Sequence, residues 1–346
     1  MNICFVCSEY PPTIYGGIGI FYYTLAKKLT DLNYDVTIVG FDSKVKKDEC
    51  NIEEGIRVYR FKHLFPYIPK LINRRYSLKF FGQRIKLSNK IKELSQIHNF
   101  HIVESYDWSG PLWYKPFSPL IVRLHGAYTP NWKSKGQRAH RLIRYVERRN
   151  VKMADYILSV ARHIAPLTLE TLNLKNRDYT VIYNGVDLSV FKPMGLERRE
   201  KQILYVGTVD KRKGVIELFQ AMRIVFQEIP GAELVLIGRL PDGKKGEVFK
   251  ESLLNQLNPE NRNSVRFLGF IPNEQLPQWY NQAGIVVFPS KAEAFGIVPV
   301  EALACGTPIV ITSRVSGPEI VKDGISGLLA DPLNPEQFAA AIIKLL

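Results

Sequence analysis

The feature that most constrains this chain is an alternation, run through twice, of two kinds of segment. Short apolar runs break at Gly, Ser or Asn, and longer stretches carry apolar residues three and four apart. The first kind has the length of strands buried on both faces, the second the period of amphipathic helices. Together they form the pattern of a parallel sheet covered by helices. Strands are predicted over residues 2–8, 35–40, 102–104, 120–124, 156–160 and 180–183, with a helix over 21–29 after the Gly-rich turn 11–19. A polar stretch, 192–201, then interrupts the pattern with Pro193 and Gly195. It restarts with strands over 203–206, 233–237, 265–267, 284–288 and 307–311 and a helix over 215–227. The expected fold class is α/β: two Rossmann-like parallel-sheet domains, 1–190 and 191–346, facing across a cleft. In such sheets ligands bind beyond the carboxyl ends of the strands, so the loops that follow strands are where function is sought.

Composition narrows the classes. A chain of 346 residues that is 46% apolar can bury two cores. No apolar run approaches the ~20 residues of a spanning helix, and the start lacks the basic flank and cleavage site of a signal peptide. The expectation is a cytoplasmic protein. Four cysteines are too few for a disulfide framework. Cys4 and Cys7 form C-x-x-C, but within an apolar strand-like run and without a second pair, so they are expected to be structural.

The most informative string runs from Ser290 to Pro308 and contains Glu293, Phe295, Gly296, Ile297, Pro299, Glu301 and Gly306. Pro299 suits a first helical position and Gly306 the residue past the last, which predicts a two-turn helix with Glu301 in its first turn. Its free N–H groups would make an anion site, and Gly296 would let an anion approach. Upstream, Arg212-Lys213-Gly214 precedes another helix, so two cations and a helix start converge, Arg suited to bidentate phosphate contact and Lys to a point charge.

Glu293 and Glu301, as E-x7-E within Ala-Phe-Gly-Ile-Val-Pro-Val-Glu-Ala-Leu-Ala-Cys-Gly-Thr-Pro, closely resemble the donor-binding signature of retaining GT-B glycosyltransferases of family 4, the glycosyltransferases group 1 family. Four further stretches agree in order: Tyr15-Gly16-Gly17, Leu124-His125-Gly126, Asn184-Gly185-Val186-Asp187 with Phe191, and Val206-Gly207-Thr208 through Lys213-Gly214. Residues 45–100 and 128–150 stay unmatched.

The resemblance implies a hexosyltransferase that uses a nucleotide diphosphate sugar, a UDP- or GDP-sugar, with retention and without a metal or other cofactor. The absence of any Asp-x-Asp triplet agrees with this. It places Arg212 and Lys213 on the donor diphosphate, and Glu301 on the ribose. Glu293, Phe295, Gly296 and Ile297 fall on the transferred sugar and its phosphate, His125 near the reacting carbon, and Gly16 and Gly17 where backbone approaches the diphosphate. Family members often carry Arg at the position of Thr208, so Arg212 inherits that role here. Glu319 is left out of the site, since a helix cap accounts for it. Family members also continue past the equivalent of residues 335–346, so the chain is expected to lack their last helices. Two alternatives stay open: a nucleotide-sugar 2-epimerase of the same architecture and a non-catalytic nucleotide-sugar binder.

The net charge of +14 is lopsided. Residues 1–190 hold 29 Lys+Arg against 16 Asp+Glu, and residues 191–346 hold 18 against 17. Residues 55–92 contain eleven basic and no acidic residues, interleaved with aromatics, and 133–152 contain eight basic residues against Glu147 alone. No nucleic-acid motif accompanies them, so nucleic acid is not expected as a partner. An anionic membrane surface is, with a glycan or lipid-linked acceptor and peripheral attachment at the inner face of the cell membrane.

Overall fold

A computed structural model describes residues 1–12, 16–63, 74–130 and 141–346, the first six residues of the helix Arg74–His98 by backbone alone. Tyr15, Lys70 and the cations Lys133, Lys135 and Arg138 lie outside the described residues. The chain divides into two compact units, Met1–Asn184 and Gly185–Leu346. Phe191, close to the expected boundary, belongs with the second, where it is 3% exposed and packs against Tyr280.

In the first unit the strands are β1 (Asn2–Val6), β2 (Asp35–Asp42), β3 (Glu49–Glu53), β4 (Ile56–Lys62), β5 (Ile102–Tyr106), β6 (Leu120–Leu124), β7 (Tyr156–Ser159) and β8 (Thr180–Val181). They form one sheet in the order β3-β4-β2-β1-β5-β6-β7-β8, parallel except for the antiparallel pair β3–β4. The first six predicted strands are found; β3 and β4 are additions. The segment Ile-Arg-Val-Tyr-Arg-Phe-Lys alternates as a strand, yet its cations read as a surface patch in the sequence. Cys4 and Cys7 are both buried, and burial pushes the Cys7 thiol up to about 12, so neither is a thiolate nucleophile at neutral pH.

The second unit holds β9 (Arg199–Val206), β10 (Glu233–Ile237), β11 (Val265–Gly269), β12 (Ala283–Phe288), β13 (Ile309–Thr312) and β14 (Leu328–Ala330). All neighbours are parallel, in the order β11-β10-β9-β12-β13-β14. Counted within the unit this is the order 3-2-1-4-5-6 of a doubly wound sheet. One face is covered by the helices Val215–Glu228 and Pro335–Leu345 through Leu218, Met222, Phe338 and Ile342. Tyr280 and Ala302 of two other helices, with Cys305 just past the second, pack on the opposite face. The chain therefore leaves the adjacent strands β9 and β12 toward opposite faces, the switch point at whose carboxyl ends a doubly wound sheet has its crevice.

Candidate active site

That crevice gathers most of the donor residues singled out in the sequence. Beyond β9 the chain makes a single 3-10 turn, Lys211–Lys213. Asp210 fixes it by accepting from the backbone N–H of Arg212 at 2.8 Å and of Lys213 at 3.1 Å. Gly214 then takes a left-handed conformation, φ 71°, and a Cβ there would stand 1.8 Å from the Pro289 carbonyl oxygen. Only glycine lets the β9 loop press so closely on the β12 loop. The loops are stitched together by Lys291 N–H donating to the Arg212 carbonyl at 2.9 Å.

This contact brings the Lys213 ammonium onto the Glu293 carboxylate, both about one-quarter exposed. Arg212 folds back on its own turn, with Nη2 2.8 Å from Asp210 Oδ2. Thr208 is exposed beside them, its backbone oxygen accepting from the buried Tyr205 hydroxyl at 2.7 Å. The arrangement offers two cations whose present partners are carboxylates of the same crevice, and an arriving diphosphate could exchange with them. Lys291, which the sequence reading did not single out, adds a third cation, held 2.5 Å from Glu217. Its nearness to Glu293 in sequence was the available signal.

The helix after β12 spans Ile297–Ala304, with Gly296 at its cap position at φ 90° and no side-chain cap. Two turns were expected and two are present. Glu301, however, is the fifth helical residue, not a first-turn residue. Pro299 sits at the third position rather than the first, because a proline is tolerated wherever the N–H has no intrahelical partner. One turn deeper, Glu301 is 3% exposed. Burial pushes its carboxyl up to about 7, opposed by the Tyr280 hydroxyl, which donates to Oε2 at 2.9 Å. Phe295 is buried, and Glu293, Gly296 and Ile297 are half-buried, Glu293 engaged by Lys213.

In the first unit Gly16 caps and Gly17 begins the helix Gly17–Asp31. The steric demand falls on Gly19 instead, where a Cβ would lie 2.1 Å from the Glu9 carbonyl oxygen. His125 follows β6. Its backbone N–H donates to Asp107 Oδ1 at 2.9 Å, and its ring stands edge-on to Phe21 at 5.0 Å. Burial and then Arg123 hold the imidazole down to about 3, so it is neutral at physiological pH. Its Nε2 and Asp107 Oδ2 are sealed from water with no partner among the described residues. Burial raises the Asp107 carboxyl to about 7. Asp107 escaped the sequence reading, though its place just past β5 was a signal.

Among the described residues the cations of the basic segments do not form one surface. Arg60 is buried against Glu53 and Asp42, and Arg84 donates to the carbonyls of Gly110, Phe80 and Ser109. Lys86 pairs with Asp48 and Lys90 with Glu93. Glu147 is buried and clamps the Ser109, Tyr128 and Thr129 N–H groups. What stays outward is a stripe on the helix Arg141–Met153, made of Arg141, Arg144, Arg148 and Lys152 with Tyr145 among them. Among the described residues no group of three His, Cys, Asp or Glu is placed to hold a metal ion, and no helix is long and apolar enough to cross a membrane.

Two parallel-sheet α/β units are the architecture of GT-B glycosyltransferases, and comparison with known proteins makes the assignment specific. Residues 15–190 match Glycosyltransferase Family 4 and residues 189–346 match Glycosyl transferases group 1. The chain belongs to this glycosyltransferase family. It is 27% identical to the D-inositol 3-phosphate glycosyltransferase of Thermobispora bispora over 96% of this chain and 82% of that one. Sucrose-phosphate synthase from Thermosynechococcus elongatus superposes with a TM-score of 0.81 at 23% identity, covering 99% of this chain and 89% of that one. HepE from Anabaena, solved in complex with UDP-glucose, superposes with a TM-score of 0.71 at 20% identity over 99% and 89%.

Proposed function

We propose that the protein transfers a hexosyl unit from a UDP- or GDP-sugar to a glycan or lipid-linked acceptor with retention at the anomeric carbon. The observation that carries the reading is the pairing of Lys213 with Glu293 at the ends of β9 and β12, next to Arg212 and just before the helix Ile297–Ala304 that bears the buried Glu301. Lys213 and Arg212 would release their carboxylates to the diphosphate and stabilise the charge on the leaving group, which is where preplaced cations act most strongly. Glu293, freed from Lys213, would accept from the sugar hydroxyls, and Glu301 from the ribose. His125, neutral and with an unpartnered Nε2, would meet the transferred sugar in the reacting complex, its backbone held by Asp107. The relative solved with UDP-glucose supports the donor class, and the D-inositol 3-phosphate glycosyltransferase supports a hydroxyl acceptor on a polar small molecule or glycan.

The test is a panel of UDP- and GDP-sugars with and without EDTA, following nucleotide diphosphate release and the anomeric configuration of the product. One donor is expected to be turned over equally in EDTA with retention. An isomerised nucleotide sugar without release would favour the 2-epimerase, and binding without either reaction a non-catalytic role. The stripe Arg141, Arg144, Arg148 and Lys152 supports an anionic membrane surface as a partner. Co-flotation with anionic but not neutral vesicles, lost on Arg141→Glu/Arg144→Glu, is the expected result. Binding to both vesicle types or to neither would count against it.

A further inference from the structure

A cavity of about 530 Å3 opens in the second unit between the start of the helix Val215–Glu228 and the helix Lys244–Leu254. None of its lining residues is Arg212, Lys213, Glu293 or Glu301, and its size falls within the range of small-molecule sites. Three lysines line it, Lys211, Lys244 and Lys245, and no acidic residue does. Their ammonium groups have no ion pair or hydrogen bond among the described residues. This sets them apart from Arg212, Lys213 and Lys291, each of which holds a carboxylate. Three unpaired cations around one hollow repel each other, and an anion relieves that repulsion.

Two more observations specify the ligand. The helix Lys244–Leu254 starts at Gly243 without a side-chain cap, and Glu247, the acidic residue of its first turn, is not among the lining residues. The opposite lining is not ionic. Ile216, Val248 and Phe249 give an apolar wall, Val248 being 65% exposed, and Gln256 keeps an Oε1 without a donor. A bare inorganic anion would use the lysines and leave that wall wet.

We propose that this cavity is a binding site for a small phosphorylated organic molecule, its phosphate on Lys211, Lys244 and Lys245 and its body on Phe249 and Val248. The site also has a route to the donor crevice. Lys211 opens the same three-residue turn that ends in Lys213, so drawing Lys211 toward an anion changes the turn that aims Lys213. Occupancy and donor affinity are then coupled, each shifting the other by the same factor.

The test uses the full chain and does not depend on turnover, so its failure is distinct from a failure of the proposed transfer reaction. Glucose 6-phosphate, adenosine 5′-monophosphate and inorganic phosphate are titrated calorimetrically into wild type, Lys244→Glu/Lys245→Glu, Phe249→Ala and Lys213→Ala. At least one organic phosphate is expected to bind more tightly than inorganic phosphate, equally in wild type and Lys213→Ala. About a tenfold or greater loss is expected in Lys244→Glu/Lys245→Glu, whose exposed positions keep the thermal unfolding unchanged. Phe249→Ala should remove the advantage over inorganic phosphate. Loss in Lys213→Ala with retention in Lys244→Glu/Lys245→Glu would move the binding to the donor turn and overturn the proposal. So would equal binding of all three probes, or capture of phosphatidylglycerol vesicles through these lysines with no binding of the small phosphates.

Discussion

Replacing Glu301 by Gln isolates the cost of burying an acid beneath the crevice proposed to bind the donor. The carboxyl titrates near 4.5 when solvated and at about 7 in the fold, with burial as the first cause and the Tyr280 hydrogen bond opposing it. Because the folded value is the higher one, the group's stability contribution is fully present below pH 4.5 and is lost as pH rises through 7. A shift of that size corresponds to about 3 kcal/mol between the two limits. Glutamine has nearly the same shape and can still accept from Tyr280, but it does not titrate. The wild type should therefore lose about 3 kcal/mol relative to Glu301→Gln between pH 4 and pH 8, with most of the change between pH 5 and 7. The assay is paired thermal and urea unfolding of both proteins across that range, read as the difference between them so that other titrating groups cancel. Donor binding gives a second readout: if ribose hydroxyls donate to the carboxylate, wild-type affinity rises from pH 5.5 to 7.5 and that of the variant does not. Parallel stability curves for the two proteins would refute the burial argument.

Two further outcomes follow from packing. Gly214→Ala should cost more than about 2 kcal/mol and weaken donor binding, because its Cβ would collide with the Pro289 carbonyl at a positive φ. Gly195→Ala, also at positive φ but with nothing within 4 Å, should cost only about 1 kcal/mol in the same unfolding assay. Arg123→Met leaves Glu104 buried without its 2.7 Å partner and should destabilise by about 3–5 kcal/mol. Most of that loss should return in the double variant Arg123→Met/Glu104→Met, as judged by urea midpoints.

The fold was legible wherever a strand is buried on both faces. Leu120–Leu124 and Glu233–Ile237 carry uninterrupted apolar patterns broken by a single charge at most, and their limits were read correctly. Ile56–Lys62 was not, because Arg57, Arg60 and Lys62 suggested a solvated patch. Arg60 in fact turns inward to carboxylates from Asp42 and Glu53, which no local pattern announces. The string from Ser290 to Pro308 was legible as a loop and a two-turn helix but not as depth. Where the helix begins depends on Gly296 and not on Pro299, and that difference moves Glu301 from a surface turn into the core. Asp107 and Lys291 were missed for a related reason. Each gains its place from a neighbour distant in sequence, Asp107 from the His125 N–H and Lys291 from the Arg212 carbonyl.

The most direct measurement is nucleotide diphosphate release by Lys213→Ala beside wild type, with thermal unfolding as the check on folding. A cation that exchanges a carboxylate for the leaving diphosphate should be worth about a hundredfold or more in turnover, with the fold retained. Undiminished release by a folded Lys213→Ala protein would contradict the assignment of this crevice to the donor.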